Sequence, residues 1–336
     1  MWKTSVLAIM KRMFDNKFAS TNLKIVPTNK TFELDAKYQE MVNVYSNEKG
    51  NRFSAEDEDN TDQKKEYGID ISLNSKPNGK IHFSFIDFPG EWLHNDENSE
   101  QLKNIVASSS VILVAIDTPH LMEEVPNESS SAIGKYNNSR NRTGVICDFL
   151  KELELNDKGK MVLFVPLKCE RYLHDNKMNL VNQRVHTAYK VFFDYINSEY
   201  NRTKCTVAIT PIFSFGTIEF ARFKRNGADI ILDENYKTPK YPLYQFTDKA
   251  GNEPESKYCE QPLLYVLLYV LKCAEASKRK ENSNWFQWLF NSIGETFFQM
   301  PSANDFLKET NNLHREIKVS GDGYEIVTDP IGMKRL

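Results

Sequence analysis

Hydrophobic and polar positions change period several times along the chain, and each change predicts an element. Val6, Leu7, Met10 and Met13 or Phe14 recur at helical spacing between basic residues, so a helix is expected over Lys3 to Phe14. From Asn22 to about Tyr67 the chain turns polar. Within it Ser54 to Lys65 (SAEDEDNTDQKK) is an acidic patch followed by a basic pair, without periodicity, and reads as a mobile surface loop or a switch-like segment ordered by ligand. Tyr67 to Leu73 and Lys80 to Phe88 read as two strands joined by Asn-Ser-Lys-Pro-Asn-Gly, a hairpin. Glu100 to Ser109 is helix-like. Val111 to Asp117 (VILVAID), Met161 to Leu167 (MVLFVPL) and Cys205 to Ile212 are apolar runs; the first is the kind of strand buried on both faces of a parallel sheet. Between them lie a polar excursion over Thr118 to Arg142, a helix at about Thr143 to Leu155 and a long amphipathic helix over Asn179 to Tyr200. That rhythm predicts an α/β fold with a doubly wound, mostly parallel sheet.

Beyond Gly216 the order loosens. Gly227 to Phe246 holds short β-like pieces and prolines, inside an insertion at about 219–258, and Gln261 to Lys278 is a strongly apolar helix that closes the domain. The division expected is one domain over 1–280 and a C-terminal extension over 281–336. The extension carries an aromatic-rich helix, Trp285 to Met300, and a small hairpin around Gly321 to Gly323.

With 336 residues and 40% hydrophobic content, the chain can bury a sizeable core. A net charge of −3, with acidic and basic residues nearly balanced, gives no electrostatic footprint for nucleic acid, and none is expected as a partner. The five cysteines are widely spread and form no C-x-x-C pair, so they read as reduced, buried thiols of a cytoplasmic protein. No signal peptide is visible, and the longest apolar run, Pro262 to Cys273, falls short of the roughly 20 residues a bilayer needs, so no transmembrane segment is expected.

The candidate chemistry centres on Lys80 to Trp92, KIHFSFIDFPGEW, where an alternating strand runs into Asp-Phe-Pro-Gly-Glu. There Asp87 can hold Mg²⁺ through water, Gly90 can offer a backbone N–H to a terminal phosphate, and Glu91 can point toward an attacking water. The same residues also make a plain strand-ending turn. Their place after a hairpin and before a helix and an apolar strand is the order found in regulatory nucleotide hydrolases. Leu167-Lys168-Cys169-Glu170 follows the strand MVLFVP where guanine-binding proteins carry [NT]-K-x-D. In that reading Glu170 accepts the base's N–H groups and the Lys168 stem lies over the ring; the alternative is a salt bridge at a strand end. Thr210 to Gly216 (TPIFSFG) is either a base-contacting loop or an ordinary turn. Lys3-Thr4-Ser5 reads as the tail of a phosphate loop, with Lys3 on the β- and γ-phosphates and Thr4 on Mg²⁺, or as a frayed terminus. Trp2 stands where the last glycine of such a loop would be. The helix over 285–300, preceded by Lys278, Arg279 and Lys280, reads as a docking surface for a protein partner or membrane, or as a helix packed on its own domain.

Taken together, KTSVLAIM, FIDFPGEW, VILVAID, PLKCE and TPIFSFG, followed by Cys259-Glu-Gln-Pro-Leu-Leu-Tyr265, resemble the TRAFAC class of P-loop GTPases. The nearest resemblance is to bacterial double-GTPase-like domains of conflict and signalling systems, over about residues 3 to 280. It implies the P-loop GTPase fold without its first strand and most of its phosphate loop, with GTP or GDP and Mg²⁺ as cofactors. It also implies phosphate and metal roles for Lys3, Thr4, Asp87 and Gly90, a water-orienting role for Glu91, base contacts from Lys168 and Glu170, and Thr61 as the switch threonine. The expected function is a GTP-hydrolysing switch that signals to a protein partner through its switch regions or the helix at 285–300. Its catalytic arginine is expected from elsewhere, since the sequence cannot place Arg142 or Arg171. The alternatives are a pseudo-GTPase interaction module without competent nucleotide binding, or a fragment of a full GTPase whose start is misassigned.

Overall fold

The computed structural model describes residues 2–18, 21–48, 53–54, 64–93, 96–123, 133–152, 160–199, 201–234, 239–247, 255–278 and 303–334. Helix α1 (Trp2–Phe18) turns Ala8, Ile9, Met10, Phe14 and Phe18 inward, and Lys11, buried with them, is held by Asp35 at 2.6 Å. The polar stretch that follows carries regular elements, while most of the loop expected at 54–65 lies outside the described residues. The stretch forms β1 (Leu23–Val26) and α2 (Asn29–Glu48), and then the two-residue β2 (Phe53–Ser54). Leu34, Tyr38 and Met41 give α2 a core-facing stripe, and Tyr45, one turn on, reaches Thr217 through a 2.8 Å hydroxyl contact.

Strands β3 (Lys65–Leu73) and β4 (Lys76–Asp87) form the expected hairpin with a tighter turn, because Leu73 pairs with Lys76 across Asn74 and Ser75 and a bulge then sets Ser72 against Lys80. With β1 they make an antiparallel sheet of order β1-β3-β4. A 3₁₀ turn (Gly90–Leu93) leads to α3 (Asp96–Ser108) and β5 (Val111–Asp117). The polar excursion contains α4 (Thr118–Met122) and α5 (Ile133–Asn141), and α6 (Thr143–Glu152) follows directly. Strand β6 (Lys160–Leu167) is buried throughout. Even its Lys160 is inside, where Nζ donates to the carbonyls of Val106, Ala107 and Ser109 and so satisfies acceptors at the carboxyl end of α3.

After α7 (Glu170–His174), the helix expected as one piece is broken into α8 (Met178–Ala188) and α9 (Lys190–Ile196). Tyr189 leaves helical geometry at the break (φ −107°, ψ 24°), and its buried ring lies 4.9 Å from that of Phe164. Strand β7 (Cys205–Ile209) is followed by β8 (Ile218–Phe223), β9 (Arg225–Asn226), β10 (Asp229–Ile230) and β11 (Pro242–Phe246). Strands β8, β11 and β2 form a small antiparallel sheet. The chain ends with α10 (Gln261–Lys278), α11 (Ala303–Lys308), α12 (Thr310–Glu316), β12 (Ser320–Gly321) and β13 (Tyr324–Thr328).

The central sheet has the order β12-β13-β7-β6-β5. Only β5–β6 and β6–β7 are parallel; β13 joins β7 antiparallel, so the sheet is mixed rather than mostly parallel. Residues of the C-terminal region thus pair with the strands of the main domain. Alternation along β6 divides the core: Met161, Leu163 and Val165 face α1 and α10, while Val162 and Phe164 face α6, α8 and α9. Each large apolar side chain so covered contributes roughly 1.5–3 kcal/mol.

Strand β5 is as apolar as β6, yet it lies at the sheet edge, with Leu113 39% exposed. It was expected to be buried on both faces. Phe83 and Phe85 of β4 share a core cluster with Val111 of β5, but no strand ladder joins the two sheets among the described residues. All five cysteines are free and buried. Among the described residues no helix is long and apolar enough to cross a membrane. The helix expected at 285–300 lies outside the described residues.

Candidate functional site

Chemistry-bearing residues stand at the carboxyl ends of the parallel strands β5 and β6, the side of such a sheet where ligands bind, and at the carboxyl end of β4 in the neighbouring sheet. Asp117 ends β5 and caps α4: its Oδ1 accepts from the His120 backbone N–H at 3.4 Å, and Pro119 sits in the first turn. Its carboxylate is the centre of a buried charge cluster. Lys168 Nζ donates to Oδ2 at 2.6 Å, His120 Nδ1 lies 2.7 Å from Oδ1, and Arg140 Nε stands 3.9 Å from Oδ2. The other His120 ring nitrogen faces Pro239 O at 3.1 Å. Burial alone would raise the Asp117 carboxyl, but Lys168 and His120, with Arg140, outweigh it and hold it well below the usual carboxylate range. Burial pulls Lys168 below an ordinary lysine, and Asp117 opposes that pull.

Lys168 itself has left-handed backbone (φ 61°), uncommon for a side-chain-bearing residue, and the ring of Tyr244 from β11 lies 5.9 Å from its ammonium. Two residues on, Glu170 is buried and its Oε1 accepts the Phe215 N–H at 3.1 Å. Burial raises the Glu170 carboxyl, while the backbone N–H groups of Glu170, Phe215, Ser214 and Gly216 act against that rise. The loop it holds is fixed in shape. Gly216 has φ 58°, and a Cβ there would stand 1.9 Å from the Glu255 carbonyl oxygen, so no other residue fits without moving backbone.

The corner between α5 and α6 joins this cluster to the turn after β4. Asn141 clasps the backbone of Asp117: its Oδ1 accepts the Asp117 N–H at 2.8 Å, and its Nδ2 donates to Asp117 O at 3.2 Å and to Asn137 Oδ1 at 2.8 Å. The next residue, Arg142, has φ 50° and donates from Nη1 to Gly90 O. Adjacent residues therefore bring the ends of β4 and β5 to one place.

Asp87 is the last residue of β4, half-buried, and paired in register with Lys65. Gly90 is exposed and opens the 3₁₀ turn, and Glu91 follows it there, its side chain outside the description. Lys3 and Thr4 lie in the first turn of α1, but their side chains, like the whole of Thr61, are outside the description. The structure thus places Asp87 and Gly90 at and just past the end of β4 and Lys168 and Glu170 just past the end of β6, with the contacts Gly90–Arg142, Asn141–Asp117 and Asp117–Lys168 between the two ends. It adds Asp117, His120 and Asn141, which sequence reasoning missed, and gives a position to Arg142, which the sequence named without placing. Asp117-Thr118-Pro119 carried a helix-start signal in plain view; nothing local marked the other two.

Among the described residues no group of three or more His, Cys, Asp or Glu side chains could hold a metal ion. A Mg²⁺ site needs fewer, since one or two carboxylates with water and phosphate oxygens suffice. Asp87 fits that donor set. The fold is mixed α/β, with helices on both faces of a five-stranded sheet that contains parallel pairs. No protein-family model, no curated protein and no solved structure matches the chain.

Proposed function

We propose that the chain is a GTP-binding and GTP-hydrolysing switch of the P-loop GTPase type. Asp87 holds Mg²⁺ through water, the Gly90 N–H meets the γ-phosphate, and Glu91 orients the attacking water. Lys3 and Thr4 serve the phosphates and the metal, Thr61 is the switch threonine, and Lys168 and Glu170 stand at the base end. Mg²⁺, when bound, supplies charge neutralisation between the β- and γ-phosphates. The chain's own part is to place donors around the phosphate tail and to pass the state of the turn after β4 to a protein partner.

The observation that supports this reading most is the α5–α6 corner, where Asn141 on Asp117 and Arg142 on Gly90 hold the phosphate-side turn beside the base-side cluster. A nucleotide needs both within one molecule's length. Titration of the purified chain with a fluorescent GTP analogue tests it. Binding is expected with Mg²⁺, competed by GTP and not ATP, and lost in Asp87→Ala. Absence of binding by the folded chain overturns the reading.

A second reading, an interaction module without nucleotide binding, has a specific observation in its favour. Lys168 is taken by Asp117 and Glu170 by the loop at 214–216, so both base-side groups have partners within the chain. The same titration separates the two readings.

A further inference from the structure

We propose that Arg142 is the arginine that stabilises charge in the hydrolysis step, supplied by this chain itself rather than by a partner. The inference rests on the GTPase reading and adds a residue to it. Of the two arginines the sequence analysis names, Arg171 reaches away from the turn after β4: its Nη1 donates to Ala221 O at 3.1 Å on β8, and Glu123 lies at 3.8 Å. Arg142 reaches the phosphate-side turn. Its Nη1 donates to Gly90 O and stands 3.9 Å from the point where a side chain at position 90 would begin.

The backbone beneath it is built to hold that aim. A left-handed conformation is unfavourable for an ordinary residue, and it persists only where neighbours enforce it. Here Asn141 is clamped to Asp117 on one side, and on the other the Ile146 N–H bonds Arg142 O at 3.0 Å as α6 begins. Arg142 is half-buried at this corner, so its side chain reaches solvent.

In the step itself a water oxygen bonds to the γ-phosphorus while the bond to the β–γ bridging oxygen breaks. The electron pair leaves on the β-phosphate of GDP, and the water's proton passes to the phosphate oxygens. A guanidinium beside Gly90 can donate to the bridging or γ-oxygens as that charge develops, and such an arginine is worth about 10³–10⁵ in rate. Lysine cannot match its forked geometry.

The test measures three things on the wild-type chain, Arg142→Ala and Arg142→Lys: affinity for a fluorescent GTP analogue, trapping of GDP with aluminium fluoride, and single-turnover GTP hydrolysis. The expected result is that all three bind the analogue, so that the rates can be compared at saturating nucleotide. Both variants should lose the fluoride complex and hydrolyse at least about 10³-fold more slowly. Equal hydrolysis by wild type and variants, with binding intact, overturns the role of Arg142 and leaves the nucleotide reading standing. Failure of the wild-type chain to bind overturns both.

Discussion

The ends of β5 and β6 and the turn after β4 meet at one corner of the molecule, but they are held in different ways. At β5 and β6 the groups are buried and cross-bonded: Asp117 is shared by Lys168, His120 and Asn141, and Glu170 takes the loop at 214–216. At β4 the turn is exposed at Gly90, whose carbonyl accepts a bond from the half-buried Arg142. Buried pairs cost several kcal/mol to break, whereas an exposed hydrogen bond is worth far less. One side is therefore a fixed frame and the other a turn that a ligand can reset at low cost.

The largest effect should come from breaking the frame. Asp117→Ala leaves Lys168 charged and buried, and denaturant unfolding should show a loss of about 3–5 kcal/mol. Gly216→Ala comes next, because its Cβ would meet the Glu255 carbonyl at 1.9 Å in a left-handed residue; a loss of about 2–3 kcal/mol is expected in the same assay. The frame should also show in acid. Asp117 is held below its ordinary value of 3.8, so its contribution is present above that pH and is lost as pH falls through the depressed folded value. Stability followed from pH 5 downward should fall more steeply in wild type than in Asp117→Asn. The smallest effect belongs to the turn: Arg142→Ala should change stability by less than about 0.5 kcal/mol in the same denaturant assay. A loss as large as that of Asp117→Ala would erase the contrast.

The two sides were also unequally legible in the sequence. The hairpin and the three parallel strands announced themselves by period and by unbroken apolar runs. The same runs could not say where each strand sits: VILVAID reads as interior and lies at an edge, because neighbours, not composition, decide that. Helix α2 was hidden among charged residues, with Leu34, Tyr38, Met41 and Tyr45 carrying the period too thinly to stand out. At the site, Asp87, Gly90, Lys168 and Glu170 were visible as strand-end residues. Their partners were not, since Asp117 and Lys168 are 51 positions apart and Gly90 and Arg142 are 52. The contacts that make the corner come from tertiary packing, which no local pattern encodes.

Hydrogen–deuterium exchange of the chain with and without GTP and Mg²⁺ tests the central claim most directly. The account predicts slower exchange in residues 88–93 and 140–146, with β6 unchanged because it is already fixed. No change at the turn after β4, or protection confined to other parts of the molecule, would contradict it.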